Sequence, residues 1–142
     1  MSRREIRESA MKLLFESCFR NDPIEELYKE AYDIEEITVN EAVREMVSGT
    51  LAHVQEIDDI IQSYSKKRAL ARIAKLNLTL LRLALYEILY DDKTPANAAI
   101  SEAIRLARVY TDDQDVRFIN GVLGAFSREH PELNQNSGSA EA

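Results

Sequence analysis

The chain of 142 residues carries a formal net charge of −7, is 45% hydrophobic and 30% charged, and holds four Gly, three Pro and one Cys. That length suits one domain burying about two-thirds of its unfolded surface, and so little Gly and Pro favours helices over turn-rich β structure. The single Cys18 excludes an internal disulfide framework, no uncharged apolar run approaches about 18 residues, and the N-terminus lacks a signal-peptide pattern, so a soluble cytoplasmic protein is expected.

The first helix opens on a capping box, Ser2 with Glu5 three residues on. Ile6, Ala10, Leu13, Leu14 and Ser17 follow as one stripe at about 100° per residue, and Arg3 and Arg7 lie at its edge with Arg4 beside them. Cys18 falls on the same apolar side. Three cations at a helix N-terminus oppose the macrodipole, which favours anions there, so the cluster calls for an anionic partner.

Asp22-Pro23, a cap followed by proline at the first helical position, opens a short second helix through Tyr28 and Ala31. Thr38 and Glu41 form another capping box, and Ala42, Val43, Met46, Val47, Thr50, Leu51, Val54, Ile57, Ile61 and Tyr64 carry the helical period onward. That run is long, so two helices are expected, broken at Gly49 or at Gln55-Glu56. Residues 21–60 hold twelve acids against Lys29 and Arg44, whereas residues 66–82 hold Lys66, Lys67, Arg68, Arg72, Lys75 and Arg82 and no acid. The chain has charged poles that its net charge conceals.

From about Arg72 to Leu89 the chain is apolar nearly all round, which predicts a central helix. Arg82 lies inside it and requires a counter-charge, with Glu87 or Glu102 as the expected partner. Thr94-Pro95 opens a helix carrying Ala99, Ile100, Ala103, Ile104 and Ala107, which ends at Asp112-Asp113. A last helix from about Asp115 presents Phe118, Ile119, Val122, Leu123 and Phe126, with Asn120 expected to bond backbone where helices meet. No strand-like alternation occurs. The expected fold is all-α, a compact bundle of about seven helices over residues 1–131, with residues 132–142 a disordered tail.

Catalytic chemistry has little footing. His53 and His130 lie far apart in sequence and form no metal-ligand spacing with Cys18, and Gly121 and Gly124 follow no strand, so they make no phosphate loop. Asp112, Asp113 and Asp115 read as capping chemistry rather than a metal site. Neither enzyme activity, nor a metal, nor a cofactor is expected.

Two segments carry a family signal. Residues 80–90, Leu-Leu-Arg-Leu-Ala-Leu-Tyr-Glu-Ile-Leu-Tyr, followed by Pro95 and Ala99-Ile100-Ser101-Glu102-Ala103, resemble the centre of the NusB family. Residues 117–123, Arg-Phe-Ile-Asn-Gly-Val-Leu, are similar to that family's C-terminal helix, and the basic first helix stands in the matching place. The resemblance implies two small helical bundles and a role in processive transcription antitermination. It further implies binding of boxA-type RNA in ribosomal RNA leaders jointly with NusE, a ribosomal small-subunit protein, on the transcription elongation complex; family members are monomers or homodimers. By the same resemblance Arg3, Arg4 and Arg7 hold RNA, Gln114, Arg117 and Phe118 form a second RNA-contacting region, and Phe15 and Asn77 face NusE. Arg68 departs from a common Trp, Asn77-Leu78 from a common Asp-Arg pair, and Ser101 from a usual Asn. At Asn77 the amide keeps hydrogen bonding but loses charge assistance toward a basic partner.

Each site also has a plainer reading. The arginines alone would make a solvated helix end; their conflict with the dipole and the family match favour RNA. Phe118 fits core and stacking platform equally, and a base stacked beside Arg117 suits single-stranded RNA recognition. Residues 66–75 fit a solvated loop or an extension of the RNA surface. Three phosphate contacts give a salt slope of only about −2, so a basic partner is needed to raise affinity through effective concentration. Two other functions fit parts of the sequence: a helical protein-interaction module without RNA binding, and an RNA-binding companion of a separate RNA methyltransferase.

Overall fold

The computed structural model describes residues 2–91 and 94–134, which form seven α-helices and two 3-10 turns with no strand among them. The helices are α1 (Arg3–Ser17), α2 (Ile24–Ala31), α3 (Glu41–Ala52), α4 (Val54–Tyr64), α5 (Lys75–Tyr90), α6 (Ala96–Tyr110) and α7 (Asp113–Glu129). Two compact units divide the chain, the first ending at Ala52 and the second beginning at His53.

In the first unit α1 packs on α2 and α3. Its capping box forms as the sequence requires: Ser2 Oγ accepts from Glu5 N at 3.1 Å, and the Glu5 carboxylate accepts from Ser2 N at 3.3 Å. Ile6, Ala10, Leu13 and Leu14 are buried, as are Leu27, Tyr28, Val43, Met46 and Val47 from the other two helices. The connection before α3 is tied back to α1, with Thr38 N donating to Ser9 Oγ at 2.9 Å and Lys12 Nζ to the Glu36 carbonyl at 3.2 Å.

Two expected caps fall elsewhere. Asp22 is drawn away by Arg20 at 2.8 Å, so Pro23 takes the cap position of α2 without a side-chain acceptor. With α3 beginning at Glu41, Thr38 stands two residues before the cap position, and Asn40 Oδ1 instead accepts from Val43 N at 2.9 Å. The break between α3 and α4 comes at His53, with φ −110° and ψ 15°, between the two expected positions; Gly49 lies inside α3 and Gln55-Glu56 inside α4.

In the second unit α5 packs against α4, α6 and α7, and Leu80, Leu81, Leu83, Ala84, Leu85 and Ile88 are buried. It begins at Lys75, later than expected, because Leu70–Arg72 form a 3-10 turn and Ile73 and Ala74 are extended. The partner of Arg82 is neither Glu87 nor Glu102. Asp58 of α4 binds it through two 2.8 Å bonds, Nε to Oδ1 and Nη2 to Oδ2, while Glu102 pairs with Arg105 one turn on. The paired geometry matches the fixed fork of the guanidinium, which a residue on the same helix five positions on does not offer.

Helix α6 ends at Tyr110, and Asp112 Oδ1 caps α7 by accepting from Asp115 N at 2.8 Å, so α7 starts two residues before Asp115. Asn120 is exposed and does not seal a helix junction. The segment after α7 was expected to be structureless from residue 132, yet Pro131–Asn134 form a 3-10 turn that Asn134 fixes by accepting from Asn97 N at 2.7 Å and donating to Ser127 Oγ at 3.2 Å. Residues 135–142 of the expected tail lie outside the described residues. No helix among the described residues is long and apolar enough to cross a membrane.

The Arg82 and Asp58 side chains are only 20% and 17% exposed, so either one without the other leaves a poorly hydrated charge. Asp58→Ala is expected to cost about 2–4 kcal/mol of stability in urea unfolding. The double variant Asp58→Leu/Arg82→Met is expected to regain much of that loss; equal instability in the double variant would show that packing, not the charge pair, sets the cost.

Candidate nucleic-acid interface

The basic first turn is less open than its sequence implies. Arg4 is exposed and Arg3 half-buried, but Arg7 is only 7% exposed. Arg7 shares the i+3/i+4 rows with Ala10, Met11 and Leu14, which are buried, so the apolar stripe is wider than the one drawn through Ile6 and Leu13 and takes Arg7 in. Arg7 is therefore corrected from a surface phosphate contact to a largely buried side chain. Within the turn, the Ser2 N–H and then its hydroxyl hold the Glu5 carboxyl below its usual range, which keeps one anion at the helix end where the dipole favours it.

The second expected region comes from α7. Gln114 and Arg117 are exposed, and Phe118 is half-buried with the Arg68 guanidinium 4.3 Å from its ring centroid. Phe118 is thus neither a core ring nor an open platform: it backs a cation–π contact. Beside it lies a cleft of about 840 Å³, walled by Lys66, Lys67 and Arg68 on one side and Arg117, Phe118 and Val122 on the other. Gly121 also lines it, and a Cβ added there would meet nothing within 4 Å, so the wall is open at that point. Burial, and after it the Glu129 carboxylate, push the hydroxyl of Tyr64, another lining residue, above its ordinary value.

The loop that supplies the three cations is shaped by one side chain. Gln62 Nε2 donates to the carbonyls of Ser65 and Arg68 at 3.0 and 3.1 Å, and its Oε1 accepts from Leu70 N at 2.9 Å. Buried Ser65 adds a 3.0 Å bond from Oγ to the Arg68 carbonyl. The 66–75 run, read from sequence as loop or RNA surface, is in this part an ordered loop facing a cleft.

Of the expected partner-facing residues, Phe15 is half-buried and meets Phe19 edge-on at 5.1 Å, and Phe19 is 62% exposed, an aromatic the sequence reading passed over. Asn77 is 1% exposed and cannot offer a partner its amide; its Nδ2 donates to Asp115 Oδ1 at 2.9 Å, joining the first turns of α5 and α7. The histidines serve packing: His53 stacks on Tyr90 at 3.7 Å and His130 on Phe126 at 4.4 Å. No group of three His, Cys, Asp or Glu among the described residues is placed to hold a metal. Sequence reasoning missed the Arg68–Phe118 contact and the Gln62 clamp. The Lys-Lys-Arg run was the available signal, but its pairing with α7 spans fifty residues.

Fold and cleft together define a class: an all-helical protein of two compact units, the second carrying a cationic cleft backed by an aromatic ring. The NusB family model matches residues 4–128, and the chain belongs to the NusB family. The transcription antitermination protein NusB of Acetivibrio thermocellus is 40% identical over 127 residues, covering 87% of each chain. That of Heliobacterium modesticaldum is 37% identical over 145 residues, covering 99% of this chain and 69% of the relative. Among solved structures, NusB of T. maritima superposes with a TM-score of 0.80 at 31% identity, covering 92% of this chain and 93% of that one. A crystal structure of the antitermination factors NusB and NusE in complex with double-stranded RNA gives a TM-score of 0.77 at 25% identity, covering 89% of this chain and 96% of that one.

The Asn77–Asp115 bond generates a test of how α7 is held. Asn77→Asp would set two carboxylates against each other in a buried site, so one of them takes a raised pKa in the folded state. The native state then binds more protons than the unfolded one, and stability falls as pH rises. The expected outcome is a loss of about 2 kcal/mol at pH 7 that shrinks on acidification toward pH 5, read from urea midpoints across that range.

Proposed function

We propose that the chain is a non-enzymatic, cytoplasmic transcription antitermination factor that binds boxA-type single-stranded RNA of ribosomal RNA leader transcripts jointly with NusE, within the transcription elongation complex. The observation that carries this reading is the family match over residues 4–128, supported by the likeness to a NusB that was crystallised with NusE and RNA. The geometry adds to a chain of net charge −7 a basic first turn of α1, with Arg3 and Arg4, and on α7 the exposed Gln114 and Arg117 beside half-buried Phe118. Arg7, only 7% exposed, adds less to that surface than Arg3 and Arg4.

So few phosphate contacts leave the chain a weak binder by itself. A basic partner enlarges the positive surface and makes the second contact intramolecular. The exposed Phe19 with Phe15, near the acidic side chains Glu16, Asp22 and Glu30 gathered by Arg20, gives such a partner an apolar and anionic surface on the first unit.

Titration of a boxA-type RNA against the chain, with and without NusE, is expected to show tighter binding with NusE. Arg3→Ala/Arg4→Ala is expected to weaken it, with a salt slope smaller by about 1.4. A duplex of the same sequence forms a control arm and is expected to bind more weakly. Unchanged affinity with or without NusE, for the variant and the unaltered chain alike, would overturn the proposal.

A further inference from the structure

We propose that the cleft between the 65–68 loop and α7 takes one unstacked nucleotide of single-stranded RNA, its base on the Arg68 guanidinium that Phe118 backs and its flanking phosphates on Lys66, Lys67 and Arg117. This rests on the RNA-binding reading above and extends it from Arg117 and Phe118, which the family resemblance supplies, to Lys66, Lys67 and Arg68, which it does not.

Four observations converge on the cleft. Its volume of about 840 Å³ falls in the range of roughly 300–1,000 Å³ typical of pockets that enclose small ligands. Its cations are uncommitted: among the described residues Lys66, Lys67 and Arg117 form no hydrogen bond or ion pair, and the contact of Arg68 is with an aromatic face. In a chain where Arg20 alone gathers three carboxylates, that is a strong local asymmetry. Glu129 is the one carboxylate among the described residues lining the cleft, and it is hydrogen-bonded to Tyr64.

The third observation is the stacking surface. Bases of single-stranded RNA are read on guanidinium planes as well as on aromatic rings, and Phe118 backs the Arg68 guanidinium at 4.3 Å in the cleft wall. An acidic peptide would satisfy the lysines but has no use for that surface, so the geometry favours RNA. The fourth is preorganisation: Gln62 and Ser65 fix the carbonyls of residues 65 and 68, so the loop backbone that carries the cations needs no ordering at binding. Gly121 leaves the opposite wall bare where a sugar or base edge enters.

The test uses the full chain with NusE and a boxA-type RNA carrying 2-aminopurine at each position in turn, over a salt series. Lys66→Ala/Lys67→Ala is expected to reduce the salt slope by about 1.4 and to weaken binding roughly 10- to 30-fold at 0.1 M salt. Arg68→Lys, which keeps the charge and loses the plane, is expected to leave the slope unchanged and to weaken binding at least about fivefold, with loss of fluorescence quenching at one position only. If RNA binds and Arg3→Ala/Arg4→Ala weakens it while both cleft variants match the unaltered chain, this inference is overturned and the functional reading stands. If poly-glutamate competes at the cleft but no position is quenched, the cleft holds an acidic protein segment and the inference fails. Failure of the unaltered chain with NusE to bind RNA overturns both.

Discussion

Helix α5 is sealed from water along most of its length, and this imposes one condition on the second unit: every polar group that α5 carries inward must be matched by a neighbouring helix or by its own backbone. Thr79 satisfies the condition locally, donating to the Lys75 carbonyl at 2.8 Å. Arg82 satisfies it through Asp58 of α4; Asn77 meets it by half, its Nδ2 donating to Asp115 of α7 while its Oδ1 has no hydrogen-bond partner among the described residues. These two bonds are directional where the surrounding leucines are not, so they define the rotation at which α4 and α7 lie on α5. Because α7 also carries Arg117 and Phe118, and α4 runs into the loop with Lys66, Lys67 and Arg68, the cleft inherits its geometry from polar groups buried beneath it.

The distribution of charge follows a related logic. Acids of the first unit near Arg20 neutralise the base they surround, and the Glu30 carboxyl is held below its usual range chiefly by the bond to Arg20. Bases of the 66–68 loop and α7 keep their charge for solvent or a ligand. A net charge of −7 is therefore compatible with a positive local field, since the summed potential at a cleft depends on which charges stand nearby and which are already paired.

Much of the fold was legible because it is local. The capping box of Ser2 and Glu5, the apolar face of α7 with Ile119, Val122, Leu123 and Phe126, and the all-round apolarity of α5 each follow from spacing within one segment. What escaped the sequence reading depended on contacts between segments. Arg82 finds its partner twenty-four residues away, where no periodicity points, and Thr38 lies before the cap of α3, its N–H bonded to Ser9 of another helix while Asn40 caps. Arg7 falls at the edge of the stripe that spacing alone draws, and the burial of Met11 widens that stripe by one row and takes Arg7 in. The site was legible in its residue types and less so in their roles: Gln114 and Arg117 are on the surface, Phe118 is shared between core and cleft, and Asn77 is internal.

The loop beside the cleft is folded around a glutamine rather than around its own side chains. Gln62 and Ser65 hold main-chain carbonyls and an N–H, and no bond that shapes the loop uses the side chain of residue 66, 67 or 68. Shape and charge are therefore written at separate positions. The three outward residues are interchangeable as far as the backbone is concerned, so selection can retune what the cleft attracts, one side chain at a time, without risking the scaffold that presents it.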